Sequence, residues 1–366
     1  MRVVHLADYG GPYPGSFVPM LRAVHDAAVQ RGWSFEVIFT HVAAERPWYR
    51  DLKADGIAAR VAPDVSRRAL AAWLASVVTE GNDSTVLHTH FTSFDLPTVT
   101  VARGRANTIV VWHLHTPLES SVGMAIRNVL KFAVFGRGAE TILCVSADLC
   151  RAARRRLAST RRLVVFPNAV DLERFHRATQ QERSRARAEL GIPDGRPVLV
   201  HFGWDWDRKG GDLFLAAVDE LSRSGMALMG LCVGGGEPAR ARSAGLGLDD
   251  LVCVVEPRDD VGVFYAAADV FVSPSAAEGM PYAVLEALCM GTPAVISNIP
   301  SHAPLAEGTV GCMLAQENPQ AFAEAIRSVL SGRAENGLDV QIADFANSLD
   351  LRTWARRLID LYAEWI

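Results

Sequence analysis

The sequence predicts two doubly wound α/β domains, each built on a parallel sheet, and three observations predict it. A chain of 366 residues exceeds what one hydrophobic core comfortably holds. Short β-branched runs alternate with amphipathic helical stretches from end to end, a pattern that implies parallel sheets covered on both faces. The rhythm falters once, in the polar stretch "FPNAVDLERFHRATQQERSRARAELGIPDGRP", Phe166 to Pro197. The boundary is expected there, giving domains of residues 1–168 and 169–349 and a closing segment 350–366. By the switch-point rule, ligands should sit at the carboxyl ends of the strands, where the two domains are expected to face each other across a cleft.

In the first domain the strand "VVHLA" leads into "ADYGGPYPGS". Gly10 and Gly11 would let backbone approach a diphosphate closely. The spacing is not a dinucleotide fingerprint, and an ordinary glycine turn accounts for it equally. The helix "VPMLRAVHDAAVQRG" follows, then strands "FEVIFTH", "TVLHTH", "TIVVWHLH", "TILCVS" and "RLVVFP". Strand alternation sends His88 and His90 to one face, and His113 and His115 to one face. Each pair could then chelate a metal, or simply be strand-end histidines with hydrogen-bond partners, which is the commoner case. The run "RAARRRLASTRR", Arg151 to Arg162, suits an anionic membrane surface, but a solvated helix face explains it more simply.

The second domain opens with "PVLVHFG" and the loop "HFGWDWDRKGGD", His201 to Asp212. Asp205 and Asp207 could hold a divalent ion against a nucleotide diphosphate. Arg208 and Lys209, beside a Gly-Gly that opens a helix, could bind the diphosphate directly. "ALMGLCVGG" and "LVCVVEP" supply further strands, "VGGGEPAR" a tight turn, and "EPRDD" an arginine, Arg258, that either stacks on a base or is solvated. The strongest constellation is "SPSAAEGMPYAVLEALCMGTPAVIS", Ser273 to Ser297. A strand ends in a loop carrying Glu278 and Gly279. Pro281 suits a first helical turn, and Gly291 stops the helix. The amides of Gly279 and Met280 carry the positive end of the helix dipole and suit a diphosphate or sugar hydroxyls. In the last segment Leu351, Trp354, Leu358 and Tyr362 fall on one helical stripe, which either closes the second domain or crosses back to the first.

Glu278 and Glu286, with "EGMPYAVLEALCMGTPAV" between and around them, resemble the E-x7-E signature of retaining GT-B glycosyltransferases of the GT4 family. "VVFPNAVDLERF", "YAAADVFVSPSAAEG" and "VLHTH" extend the resemblance over nearly the whole chain. The GT-B fold it implies is a pair of Rossmann-like domains, the first for an acceptor and the second for a nucleotide-sugar. It further implies that Glu286 accepts from ribose hydroxyls, while Glu278, Gly279 and Met280 hold the donor sugar and Pro281 fixes the turn. Lys209 would neutralise the diphosphate, with Arg208 as a second cation, because Trp204 stands where the family usually has arginine. The resemblance also tips Gly10 and Gly11 toward the leaving group and puts Arg258 near the base. His115 would lie beside the reacting centre, with His113 in reserve and His90 on the acceptor side. The implied activity is transfer of a sugar from an NDP-sugar to an acceptor hydroxyl with retention, needing no metal cofactor. The acceptor class (small molecule, glycan or lipid-linked) is open. An epimerase on the same frame, or a non-catalytic nucleotide-sugar-binding subunit, is the alternative.

A net charge of −4 gives no reason to expect nucleic acid as a partner. Six scattered cysteines without a C-x-x-C pair argue for reduced thiols and against a zinc knuckle. The start "MRVVHLADYGG" lacks a leader pattern, and no apolar run suits a membrane span. A soluble, cytoplasmic, bacterial enzyme with at most peripheral membrane contact is the expectation.

Overall fold

The computed structural model describes residues 1–78, 84–118, 121–159, 162–193, 195–308, 311–332, 345 and 348–365. Two positions of the arginine run, 160 and 161, lie outside the described residues. The chain divides into two compact units, Met1–Ala169 with Leu351–Ile366, and Val170–Asp350.

The first unit carries seven strands: β1 Arg2–Ala7, β2 Ser34–Phe39, β3 Ala58–Val61, β4 Thr85–His90, β5 Thr108–Leu114, β6 Thr141–Cys144 and β7 Leu163–Val165. They form one sheet in the order β3-β2-β1-β4-β5-β6-β7, and every pairing is parallel. Six of these strands fall where the sequence suggested them; β3 does not. Its residues alternate between exposed and half-buried at the sheet edge, so it lacks the apolar run that marks a central strand.

The second unit carries β8 Val198–Phe202, β9 Met229–Val233, β10 Val252–Val255, β11 Val270–Ser273, β12 Ala294–Ser297 and β13 Cys312–Ala315. Their order is β10-β9-β8-β11-β12-β13, again all parallel. The edge strand β13 is the one missed from sequence, being mostly half-buried. Strand order reverses between β1 and β4 in one sheet and between β8 and β11 in the other. Those are the switch points, where loops diverge and leave room for a ligand.

The helix Leu351–Ala363 settles the alternative left open above. It belongs to the first unit, where Leu351, Trp354, Leu358 and Tyr362 are all buried in one core with the helix Phe17–Gln30. The Trp354 indole donates to the Pro167 carbonyl at 2.6 Å. Its apolar stripe is thus the seam that joins chain end to chain start. On the helix Val122–Leu130 and the turn after it, by contrast, Val122, Ile126, Leu130 and Val134 recur every fourth residue and are 50–78% exposed. Among the described residues no helix is long and apolar enough to cross a membrane, and all six cysteines are free thiols.

Candidate functional site

The loops that leave β8 and β11 meet at the switch point of the second sheet. After β8 the chain makes a short helix, Trp206–Lys209, then turns at Gly210 with φ +72° into the helix Gly211–Arg223. Glycine is required at that turn twice over. The φ is left-handed, and a Cβ there would lie 2.0 Å from the Pro274 carbonyl oxygen of the other loop. The Ala276 amide donates to the Arg208 carbonyl at 2.9 Å, which locks the two loops together.

This contact brings Lys209 and Glu278 into one ion pair, Nζ to Oε1 at 2.7 Å, with both side chains only about a tenth exposed. Arg208 reaches the same oxygen at 3.4 Å and is itself held by Asp205 at 2.6 Å. Asp205 therefore shapes the loop through Arg208. Trp204, in the position where arginine was expected, is 54% exposed, and the Lys209 ammonium stands 5.4 Å from its ring centroid, within cation–π reach. Burial would push the Glu278 carboxyl up. The Lys209 ammonium, with help from Arg208 and the Ser275 hydroxyl, outweighs it and holds the group below the ordinary carboxylate range.

The signature helix runs Tyr282–Cys289 and ends at Gly291, φ +77°. Pro281 stands at the N-cap, one place before the first turn expected for it. Its carbonyl accepts from the amides of Val284 and Leu285, so it still fixes the turn, but through its C=O. Among the described residues no side chain caps this helix start. Glu286 is buried and accepts from the Tyr265 hydroxyl at 2.8 Å. Burial, reinforced by Glu286, keeps that phenol protonated. Arg258 pairs with Glu189 at 2.6 Å and with Asp260 at 3.6 Å, and no interaction joins it to the Lys209–Glu278 pair among the described residues.

Two residues near this pair carried no signal in the sequence reading. His302, in "IPSHAP" after β12, is fully buried, and its Nδ1 lies 2.9 Å from the Ser297 carbonyl. Among the described residues its Nε2 has no hydrogen-bond partner. Burial lowers its proton affinity, with Glu278 acting against that and Lys209 with it, which places the ring within electrostatic range of both. His201, on β8, is likewise buried and held to the Val272 carbonyl.

In the first unit, Gly10 and Gly11 follow β1. A Cβ on Gly10 would meet the Val42 side chain at 2.6 Å, and the Gly11 carbonyl accepts from the Trp48 indole at 2.9 Å. The fold itself thus uses the missing side chain at Gly10. Register brings the histidines together: β1 sets His5 beside His88, and β5 sets His113 beside His90. His90 joins His115 through Nδ1 and His5 through Nε2, both at 2.9 Å. His5 goes on to the Tyr362 hydroxyl at 3.0 Å, which also meets His88. His90 and His113 are fully buried. The face they share is filled by these rings and by Tyr362 and Trp354 of the closing helix. His115, at the end of β5, is half-buried. His5 and Tyr362 were not singled out from sequence. The alternation that paired His88 with His90 would have found His5 once the strand register was known.

Comparison with known proteins bears on both units. Residues 20–174 match the family model described as Glycosyltransferase Family 4, and residues 196–332 match that described as Glycosyl transferases group 1. A D-inositol 3-phosphate glycosyltransferase of Corynebacterium urealyticum is 29% identical over 225 residues, 55% of this chain and 51% of that protein. A GDP-mannose-dependent alpha-(1-6)-phosphatidylinositol dimannoside mannosyltransferase of Mycobacterium tuberculosis is 29% identical over 228 residues, 59% of this chain and 58% of that one. The chain spans about half the length of the curated relatives it matches. Among solved structures, Anabaena Alr3699/HepE in complex with UDP and glucose superposes with a TM-score of 0.84 at 18% identity, covering 99% of both chains.

Proposed function

The chain belongs to the group 1, family 4 glycosyltransferases of GT-B fold, and from that premise we propose that it moves a sugar from a nucleoside-diphosphate donor to an acceptor hydroxyl with retention of configuration and without a metal cofactor. The observation that carries the reading is the buried Lys209–Glu278 pair at the switch point of the second sheet.

An ammonium has three donors, so Lys209 can keep Glu278 and still donate to a phosphate oxygen. Glu278 accepts from a hydroxyl of the sugar through its second oxygen, and the amides at the start of the helix Tyr282–Cys289 face the same ligand. Glu286, steadied by Tyr265, accepts from the ribose. The acceptor oxygen attacks the anomeric carbon on the face that the diphosphate is leaving. The bond to the phosphate oxygen breaks, and that oxygen takes the acceptor's proton. The protein's share is electrostatic: fixed positive charge stabilises the departing diphosphate, a contribution worth about 3 kcal/mol for one such group. His115, half-buried at the end of β5, lies beside the reacting sugar on this reading. Localisation is cytoplasmic.

Among acceptors, an inositol phosphate has the support of the corynebacterial relative's name, and a lipid-linked one has support of two kinds. The exposed stripe Val122, Ile126, Leu130 and Val134 suits the interface of a membrane, and the mycobacterial relative's name contains phosphatidylinositol dimannoside.

Thermal-shift screening against UDP-glucose and GDP-mannose tests the reading, since a ligand bound only by the folded state raises its stability. One of the two should raise the unfolding temperature, and with an acceptor should release free nucleoside diphosphate. Release of an isomeric nucleotide-sugar in the absence of acceptor would sink it in favour of epimerisation.

A further inference from the structure

Five imidazoles of the first unit, on or just past three neighbouring strands, lie together and call for an account of their own. We propose that His90, His113 and His115 bind one divalent transition-metal ion of the zinc type, through three imidazole nitrogens with a fourth coordination position open.

Geometry carries this first. One ring nitrogen from each residue lies within 4.8 Å of the others. Imidazole–zinc bonds of about 2.0–2.1 Å place tetrahedral ligands roughly 3.4 Å apart, so sub-ångström ring movements complete the set. The backbone has already fixed the positions. His90 and His113 are register partners on β4 and β5, and His115 follows two residues on along the same face. Such a site pays little ordering entropy when an ion arrives.

The second support is the unsatisfied chemistry. His113 is fully buried, the Phe166 backbone lies close enough to act on one of its ring nitrogens, and among the described residues the other has no hydrogen-bond partner. Buried polar atoms without partners are rare and call for an ion or a water. Nδ1 of His90 and Nε2 of His115 point at each other 2.9 Å apart, and both can present lone pairs to an ion.

The third is the outer shell. Nε2 of His90 meets Nδ1 of His5 at 2.9 Å, and Nε2 of His5 meets the Tyr362 hydroxyl at 3.0 Å. If His90 donates Nε2–H along this chain, its Nδ1 carries the lone pair. Metal-bound histidines are oriented in this way by a partner on the other nitrogen. An all-imidazole donor set selects zinc, copper or nickel over calcium and magnesium. The triad His5, His88 and His90 is also close enough, but both nitrogens of His5 and Nδ1 of His88 are engaged by His90 and Tyr362, which leaves His88 only Nε2.

The inference stands apart from the transferase reading. Where that reading holds, an ion on Nε2 of His115 withdraws this ring from the sugar and inhibits. The test is titration of the chelator-treated full chain with Zn²⁺ by calorimetry, and with Co²⁺ by visible absorption. One equivalent should bind, and cobalt should give ligand-field bands without thiolate charge-transfer absorption. His113→Phe keeps an aromatic ring against Trp354, and His115→Ala changes a half-buried position that the fold tolerates. Each should weaken binding at least ~100-fold, while His176→Ala, at an exposed site, should leave it unchanged. Failure of the wild-type chain to bind one equivalent overturns the proposal. So does binding that survives His115→Ala, which would assign the ion to thiols or surface groups.

Discussion

Replacing Lys209 by alanine separates the structural from the chemical work of the buried pair. At an effective dielectric of about 20, unit charges 2.7 Å apart attract by about 6 kcal/mol and at 3.4 Å by about 5 kcal/mol, before desolvation. Arg208, at the longer distance, therefore keeps much of the compensation for the Glu278 carboxylate once Lys209 is gone. The stability cost should fall to about 2 kcal/mol, below the roughly 3–5 kcal/mol of a stripped buried charge. For a unit of this size that is a drop in unfolding temperature of roughly 4–8 °C. Turnover should fall by somewhat more in energetic terms, about 3 kcal/mol in the barrier, or on the order of 100-fold in kcat.

Adding Glu278→Gln to Lys209→Ala removes the orphaned charge, so the double variant should regain most of the lost thermal stability but none of the turnover. Scanning fluorimetry reads the first quantity, and nucleoside-diphosphate release from the donor found by screening reads the second. A Lys209→Ala chain with kcat within about threefold of wild type, or a double variant whose kcat recovers along with its stability, would refute the reasoning.

Two further outcomes are expected. His5 and His115 are held at about 3 by burial, and His88, His90 and His113 also lie well below the ordinary range. Below about pH 6.5 the unfolded chain takes up protons that the folded one refuses, so stability falls as pH falls, by on the order of 1 kcal/mol per pH unit for each ring. Stability is complete above that pH, and calorimetry should show the unfolding temperature dropping continuously as the pH falls from about 6.5 toward about 3; a flat profile would show that the rings protonate in place. On the apolar stripe, Ile126→Asp should abolish co-sedimentation with vesicles containing phosphatidylglycerol while leaving the unfolding temperature unchanged, because Ile126 is 59% exposed. Undiminished vesicle binding by this variant would exclude the stripe as the contact.

The central strands were legible because parallel strands buried on both faces read as unbroken apolar runs. Of the four edge strands, β7 and β10 still read as apolar runs, whereas β3, alternating exposed and half-buried residues, and β13, mostly half-buried, did not. Lys209, Glu278 and Glu286 could be picked out by residue type and spacing. Their partners could not: 69 residues separate Lys209 from Glu278, and nothing local says that Lys209 rests on a carboxylate. Trp204 read as a departure from the expected arginine, and only the folded loop gives it an aromatic face for the Lys209 ammonium. His302 stayed invisible because an isolated histidine carries no periodicity.

Periodicity and turn chemistry are local properties, so the amino-acid order by itself determined the alternating elements, the parallel sheets and the glycine-bounded signature helix. Which strand lies beside which, and which side chains therefore meet, depends on long-range register. Only the tertiary structure decided that Tyr362, near the end of the chain, would bond His5, near its start, and that the histidines of β1, β4 and β5 would become a single cluster.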